Sequence, residues 1–198
     1  VANTTFETMM VCEAAGYDCI LIETVGVGQS ETLVSDITDV FLFLKIIGGG
    51  DELQGIKRGI MEMVDVIFIN KVDEENLIKA KNTKVELKRA LHFMPAKENK
   101  WTVPVLLGSA LKKEGLEEVY GKIEEFVDLK IHNKTFGKIR QLQAEKRYEY
   151  WVQEYILQKT KEEKAVENFY ELHKKNASEL KSNPSTEAKL FVDRLLNK

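Results

Sequence analysis

Four short apolar runs, DCILI at 18–22, VFLFLKI at 40–46, VIFI at 66–69 and VPVLL at 103–107, alternate with helix-patterned stretches up to about residue 129. No other feature narrows the fold as far. Continuous apolar runs of this length suit strands of a parallel sheet that is covered on both faces. Strand and helix in alternation is the pattern that lays helices over such a sheet. The expectation is an α/β fold: one doubly wound sheet of four buried parallel strands with helices on both faces.

The helices carry their own punctuation. Thr4 and Glu7 have capping-box spacing for a first helix that holds Met9, Met10, Cys12 and Glu13 and stops at Gly16. Ser30 can cap the next helix. Further helices are expected through IKRGIMEM, over roughly residues 74–92, and through EGLEEVYGKIEEFVDL. From about residue 136 the strand signal disappears and the chain reads as helices rich in Lys, Glu and aromatics. The last begins at Asn183-Pro184, with Asn as cap and Pro at the first helical position. Two regions follow: an α/β domain over 1–130 and a helical arm over 131–198.

With 43% hydrophobic and 31% charged residues the chain reads as a soluble globular protein, and no stretch approaches the roughly 18 uninterrupted apolar residues of a membrane span. It opens VANTT, without an initiator Met or a charged-then-apolar leader. The expectation is a piece of a longer cytoplasmic protein with no signal peptide. Cys12 and Cys19 alone make neither a metal knuckle nor a disulfide framework, in keeping with a reducing compartment. His92, His132 and His173 lack ligand spacing and read as surface or packing residues. Residues 130–198 hold 15 Lys and Arg against 10 Asp and Glu. The signs alternate and no glycine-aromatic RNA motif accompanies them, so a solvated helix face is expected and no nucleic-acid partner. Tyr148, Tyr150, Trp151, Tyr155, Phe169 and Tyr170 fall in this arm, where core or dimer packing is their default role.

In an open parallel sheet, ligands bind beyond the carboxyl ends of the strands. Three polar motifs stand at such ends: ETVGVGQSE (23–31), NKVD (70–73) and GSAL (108–111). In this order they resemble the phosphate-and-metal, guanine-specificity and guanine-backing motifs of GTPases. A lone N-K-x-D is weak; placed after a strand and about 35 residues ahead of a strand-terminal Ser-Ala it becomes specific. The chemistry fits the residue types. Asp73 can accept two hydrogen bonds from the ring N–H and exocyclic amine of guanine, a pair adenine cannot supply. By resemblance, Asn70 braces the loop and touches the base, and Lys71 lays its stem over the ring. Ser109, Ala110 and Leu111 back the base, the Ala110 N–H meeting the guanine oxygen. Glu23 stands where most GTPases carry the Asp of Asp-x-x-Gly, and a carboxylate there suits Mg²⁺ held directly or through water. Gly26 lets its N–H approach a γ-phosphate closely.

The wider text, CEAAGYDCILIETVGVGQSE followed by GGGDELQGIKRGIMEMVDVIFINKVD, resembles the GTPases associated with methylmalonyl-CoA mutase, also known as LAO/AO arginine/ornithine transport system kinases. Looser similarity runs through RYEYW and NPSTEAKLFVDRLL. The resemblance implies a P-loop NTPase-type fold, GTP or GDP with Mg²⁺ as ligands, a homodimer, and a chaperone role. In that role the protein gates cofactor loading into an adenosylcobalamin-dependent acyl-CoA mutase and protects that enzyme. It also implies that Gln29, Asp51, Gln54 and Lys57 carry the nucleotide state to the mutase. Spacing alone lets Asp51, Gln54 and Lys57 share one helix face, and equally allows an ordinary capped helix start.

One departure is plain. No G-x-x-x-x-G-K-[ST] phosphate loop is present: Gly121-Lys122 and Gly137-Lys138 are both followed by Ile. The chain therefore reads as the carboxyl-terminal two-thirds of a GTPase, with catalysis belonging to the parent protein and this piece expected to be inactive alone. Two other readings stay open, a transport-associated kinase or ATPase and a partner-binding and dimerisation module. The guanine selectivity of NKVD argues against the first.

Overall fold

In a computed structural model of the chain, residues 4–24, 34–47, 58–97, 99–162, 164–179 and 181–196 are described. They fall into two compact units, residues 1–143 and 144–198. Gly26, Gln29, Ser30, Asp51, Gln54 and Lys57 lie outside the described residues.

The first unit is built on a parallel sheet of β1 (Leu42–Ile46), β2 (Val66–Asn70) and β3 (Val105–Leu107), in that order. Leu42 pairs with Val66 and Ile67 with Val105, so all three strands point their carboxyl ends to the same edge. Between them run α2 (Arg58–Met63) and α3 (Leu77–His92), and α4 (Leu116–His132) follows β3. The central strand is buried on both faces, as its unbroken apolar run requires. On one face Ile67, Ile69 and Val105 pack with Met61, Ala80 and Leu87 of α2 and α3; on the other Val66, Phe68 and Leu106 pack with Val119 of α4. The α/β architecture with helices on both faces is as expected.

The strand count is not. DCILIE was expected as a fourth buried strand, but residues 18–24 form no strand, and Leu21 is 90% exposed. A strand exists by pairing, and residues 18–24 pair with neither outer strand of the β1–β2–β3 sheet. Nor is VFLFLKI covered on both faces: β1 is an outer strand of the described sheet, and its Leu44 and Ile46 stay exposed.

The helix α1 (Thr5–Ala14) ends as read and begins differently. Gly16 takes φ +88°, the Tyr17 N–H donates to the Cys12 carbonyl at 3.2 Å and the Gly16 N–H to Glu13 at 3.0 Å, which is the Schellman pattern. The Thr4–Glu7 capping box does not form. Thr4 has helical angles (φ −80°, ψ −7°), which turn its hydroxyl away from the N–H groups it would have to cap.

At the amino ends of the strands a polar network closes this unit. Asp65 accepts from Lys97 Nζ and from the Phe41 N–H, and its carbonyl accepts from Trp101 Nε1. Lys130 donates to the Asp39 carbonyl at 2.6 Å, over the Phe126 ring. Burial pushes its ammonium below the usual lysine range, although Asp65 and Asp39 pull the other way. Arg140 grips the Asp39 carboxylate through Nε and Nη2 and also reaches Glu13, and the bonds to Asp39 hold its guanidinium above the ordinary arginine value.

The helix α5 (Thr135–Glu162) runs from the first unit into the second, which continues with α6 (Lys164–Ser178) and α7 (Pro184–Leu196). Asn183 Oδ1 accepts the Ser185 N–H at 2.9 Å, the expected cap with Pro184 at the first helical position. Phe191 of α7 packs against Phe169 and Tyr170 of α6, and His173 Nδ1 pairs with the buried Glu187. On α5, Tyr148 and Tyr155 remain exposed, and Tyr155 stacks on Trp151.

Candidate functional site

Because β2 and β3 are parallel neighbours, the loops that leave them emerge side by side. The ladder continues past the strands: the Gly108 N–H donates to the Ile69 carbonyl, and the Val72 N–H to the Gly108 carbonyl, both at 3.0 Å. Only glycine fits at position 108. A Cβ there would collide with the Glu114 carbonyl oxygen and lie 2.8 Å from the Phe68 ring. Beyond it, Ser109 and Glu114 exchange both backbone hydrogen bonds at 3.0 Å and close residues 110–113 into a tight turn. Ser109 is buried, and its hydroxyl accepts the Lys112 N–H at 3.3 Å, so this side chain holds the turn from inside. Ala110 and Leu111 form the outer rim, Leu111 being 95% exposed.

Asn70 joins the two loops. Its Oδ1 accepts the Lys71 N–H at 2.8 Å and the Ala110 N–H at 2.9 Å. Two backbone donors fix the oxygen on this side, and the amide Nδ2 has no partner among the described residues. This arrangement bears on the role expected of Ala110. Its N–H is engaged by Asn70, so it meets a ligand oxygen only by sharing that donor.

Lys71 sits in the left-handed region at φ +62°, an uncommon conformation for a residue with a side chain. Local bonds hold it there. The Asn76 Nδ2–H donates to the Lys71 carbonyl at 2.9 Å. Asp73 and Asn76 bond reciprocally, the Asp73 N–H to Asn76 Oδ1 at 3.0 Å and the Asn76 N–H to Asp73 Oδ1 at 2.9 Å. Asp73 is exposed, and each of its carboxylate oxygens carries two lone pairs, so the bond to Asn76 leaves room for two more donors. Asn76 went unremarked in the sequence, although Asp-x-x-Asn ahead of a helix has the spacing of a capping box.

The structure thus brings Asn70, Lys71, Asp73, Ser109 and Ala110 to one edge of the sheet. Glu23, itself exposed near the end of segment 18–24, bonds to neither loop among the described residues. No group of three or more potential metal ligands occurs among them, and none of their helices is long and apolar enough to cross a membrane. The arrangement offers a carboxylate, a side-chain amide donor and a lysine stem around an open edge: acceptors and donors for a flat, hydrogen-bonding ligand such as a nucleobase.

A family model described as "Methylmalonyl Co-A mutase-associated GTPase MeaB" matches residues 1–165. The GTPase ArgK of Escherichia coli (strain K12) is 40% identical over 164 residues, 83% of this chain and 47% of ArgK. The mitochondrial methylmalonic aciduria type A homolog of Mus musculus is 42% identical over 143 residues, 72% of this chain and 34% of that protein. Among solved structures, a crystal structure of LAO/AO transport system kinase superposes with a TM-score of 0.77 at 32% identity, over 96% of this chain and 61% of that one. The chain spans less than half the length of these two curated relatives.

Proposed function

From the premise that the chain belongs to the methylmalonyl-CoA mutase-associated GTPase family and has a P-loop NTPase-type α/β fold, we propose that its β2 and β3 loops are the guanine-recognising half of a GTP site. The observation that carries this reading is the joint made by Asn70 Oδ1 between the NKVD and GSAL loops. It leaves the Asp73 carboxylate exposed and the Asn70 amide donor unengaged among the described residues. Asp73 would accept the guanine ring N–H and exocyclic amine, while Asn70 Nδ2 offers a donor to a ring nitrogen acceptor. Adenine would leave the carboxylate facing a lone pair, and a site of this kind rejects the wrong partner by about 10⁴-fold. Lys71 would cover the ring with its aliphatic stem.

In the whole protein this half-site would serve GTP hydrolysis, in support of an adenosylcobalamin-dependent acyl-CoA mutase whose cofactor loading it gates. Gly26 would approach the phosphates. Glu23 suits Mg²⁺, which takes one or two carboxylates and fills its other positions with water and phosphate oxygens; the ion, when bound, offsets charge on the transferring phosphoryl group. Gln29, Asp51, Gln54 and Lys57 would signal the nucleotide state to the mutase. A cytoplasmic homodimer is the form in which this takes place. The guanine selectivity of NKVD and the mutase in the family's name support the mutase over transport, which enters only through the name of the LAO/AO transport system kinase structure.

The partner is tested by sedimentation of the protein with a methylmalonyl-CoA mutase. Co-sedimentation that differs between GDP and a non-hydrolysable GTP analogue is expected. Independent migration of the two proteins in every nucleotide state would remove the mutase from the proposal.

A further inference from the structure

Asn76 makes three hydrogen bonds inside the NKVD loop. Its Oδ1 takes the Asp73 N–H, its own N–H holds Asp73 Oδ1, and its Nδ2 reaches back to the Lys71 carbonyl. The side chain uses an acceptor and a donor at the same time, on backbone groups two residues apart. Few residues can do this. An aspartate has the acceptor without the donor, serine is too short to reach both groups, and glutamine carries an extra methylene in a turn that closes at 2.9–3.0 Å.

These bonds act on the two features of the loop that a base would meet. Lys71 holds φ +62°, a conformation that persists only where neighbours enforce it, and the Asn76 amide is one of its two tethers, the other being Asn70 Oδ1. The Asp73 carboxylate is exposed and would otherwise rotate. The Asn76 backbone N–H, which any residue but proline supplies at this position, pins one oxygen, and the Asn76 side chain holds the Asp73 N–H, fixing the backbone from which that carboxylate springs. Recognition by a preorganised acceptor avoids the entropy cost of ordering that acceptor on binding.

We propose that Asn76 is a positioning residue for guanine specificity: its side chain locks the Asp73 and Lys71 backbones, and so holds the Asp73 carboxylate toward the 2-amino edge of the base and the Lys71 backbone beneath the ring. The proposal rests on the reading of Asp73 given above. It assigns to Asn76 an effect on discrimination between bases, beyond any effect on folding.

The measurement is calorimetric titration of the 198-residue chain with GDP and with IDP, whose hypoxanthine lacks the 2-amino group. The unaltered chain is expected to prefer GDP by about tenfold, the worth of one charge-assisted hydrogen bond. Asn76→Ala keeps the backbone N–H on Asp73 Oδ1 but removes both side-chain bonds, to the Asp73 N–H and the Lys71 carbonyl. With the loop backbone released, it should bring the GDP-to-IDP ratio close to one, with most of the loss falling on GDP. Asn76→Asp keeps the size and the acceptor for the Asp73 N–H but removes the donor to Lys71. It should lower the ratio in the same way, and it decides the matter if the alanine variant does not fold. A ratio unchanged in a folded variant overturns the role of Asn76 and leaves Asp73 standing. Equal affinities in the unaltered chain, or no binding of GDP at all, overturn the reading of Asp73 itself and the proposal with it.

Discussion

At the scale of single residues, the candidate site depends on one carboxylate and one missing side chain. In the proposed reading Asp73 would offer two acceptors to the two donors on the guanine edge. Asp73→Asn replaces one acceptor with a donor, which suits the 2-oxo group of xanthine. GDP affinity is expected to fall at least tenfold and XDP affinity to rise, which competition titration with both nucleotides will measure; unchanged GDP affinity would remove Asp73 from the site. Gly108 acts by having no Cβ. The atoms in the way are the Glu114 carbonyl and the Phe68 ring, backbone and buried aromatic, neither of which yields easily. Gly108→Ala should therefore cost about 1–3 kcal/mol of stability, read from the urea midpoint. It should also loosen the turn that presents Ala110.

At the scale of elements, much was legible where the signal is local. The αL stop at Gly16, the Asn183-Pro184 start of α7 and the apolar run of β2 each follow from a few neighbouring residues. What failed depends on partners. DCILIE has the composition of a buried strand but pairs with neither outer strand of the sheet, and the Thr4–Glu7 box needed a backbone angle at Thr4 that the sequence does not dictate. In the site, the NKVD and GSAL loops were readable as motifs, whereas their junction through Asn70 and the lock made by Asn76 are matters of three-dimensional reach. A pH dependence belongs to the pairing of α6 with α7. The bond from His173 holds the Glu187 carboxyl below the usual glutamate range, assisted by Ser182 and Asn176. A carboxyl whose folded value is depressed stabilises the folded form above its unfolded value, and that stabilisation is lost as pH falls through the folded value. Helicity followed by circular dichroism should therefore drop in a step below about pH 4.5, and Glu187→Gln should flatten that step. A variant with the same acid profile would show that the pair plays no part.

At the scale of the whole molecule, we propose separate tasks for the helical arm and the sheet edge. The exposed aromatics Tyr148 and Tyr155 on α5 motivate the proposal that the arm pairs two protomers. Light scattering at micromolar concentration should give twice the mass of one chain. Charge introduced as Tyr148→Glu with Tyr155→Glu should give a monomer, and a dimer undisturbed by both would place the contact elsewhere. The central claim, that the β2 and β3 loops together recognise guanine, is tested most directly by titrating the ¹⁵N-labelled chain with GDP and with ADP while following its backbone amides. The account predicts saturating shifts with GDP near millimolar concentration, the order of −4 kcal/mol. They should be confined to residues 70–76 and 108–114, with no matching response to ADP. Equal responses to the two nucleotides, or GDP shifts centred away from these loops, would contradict it.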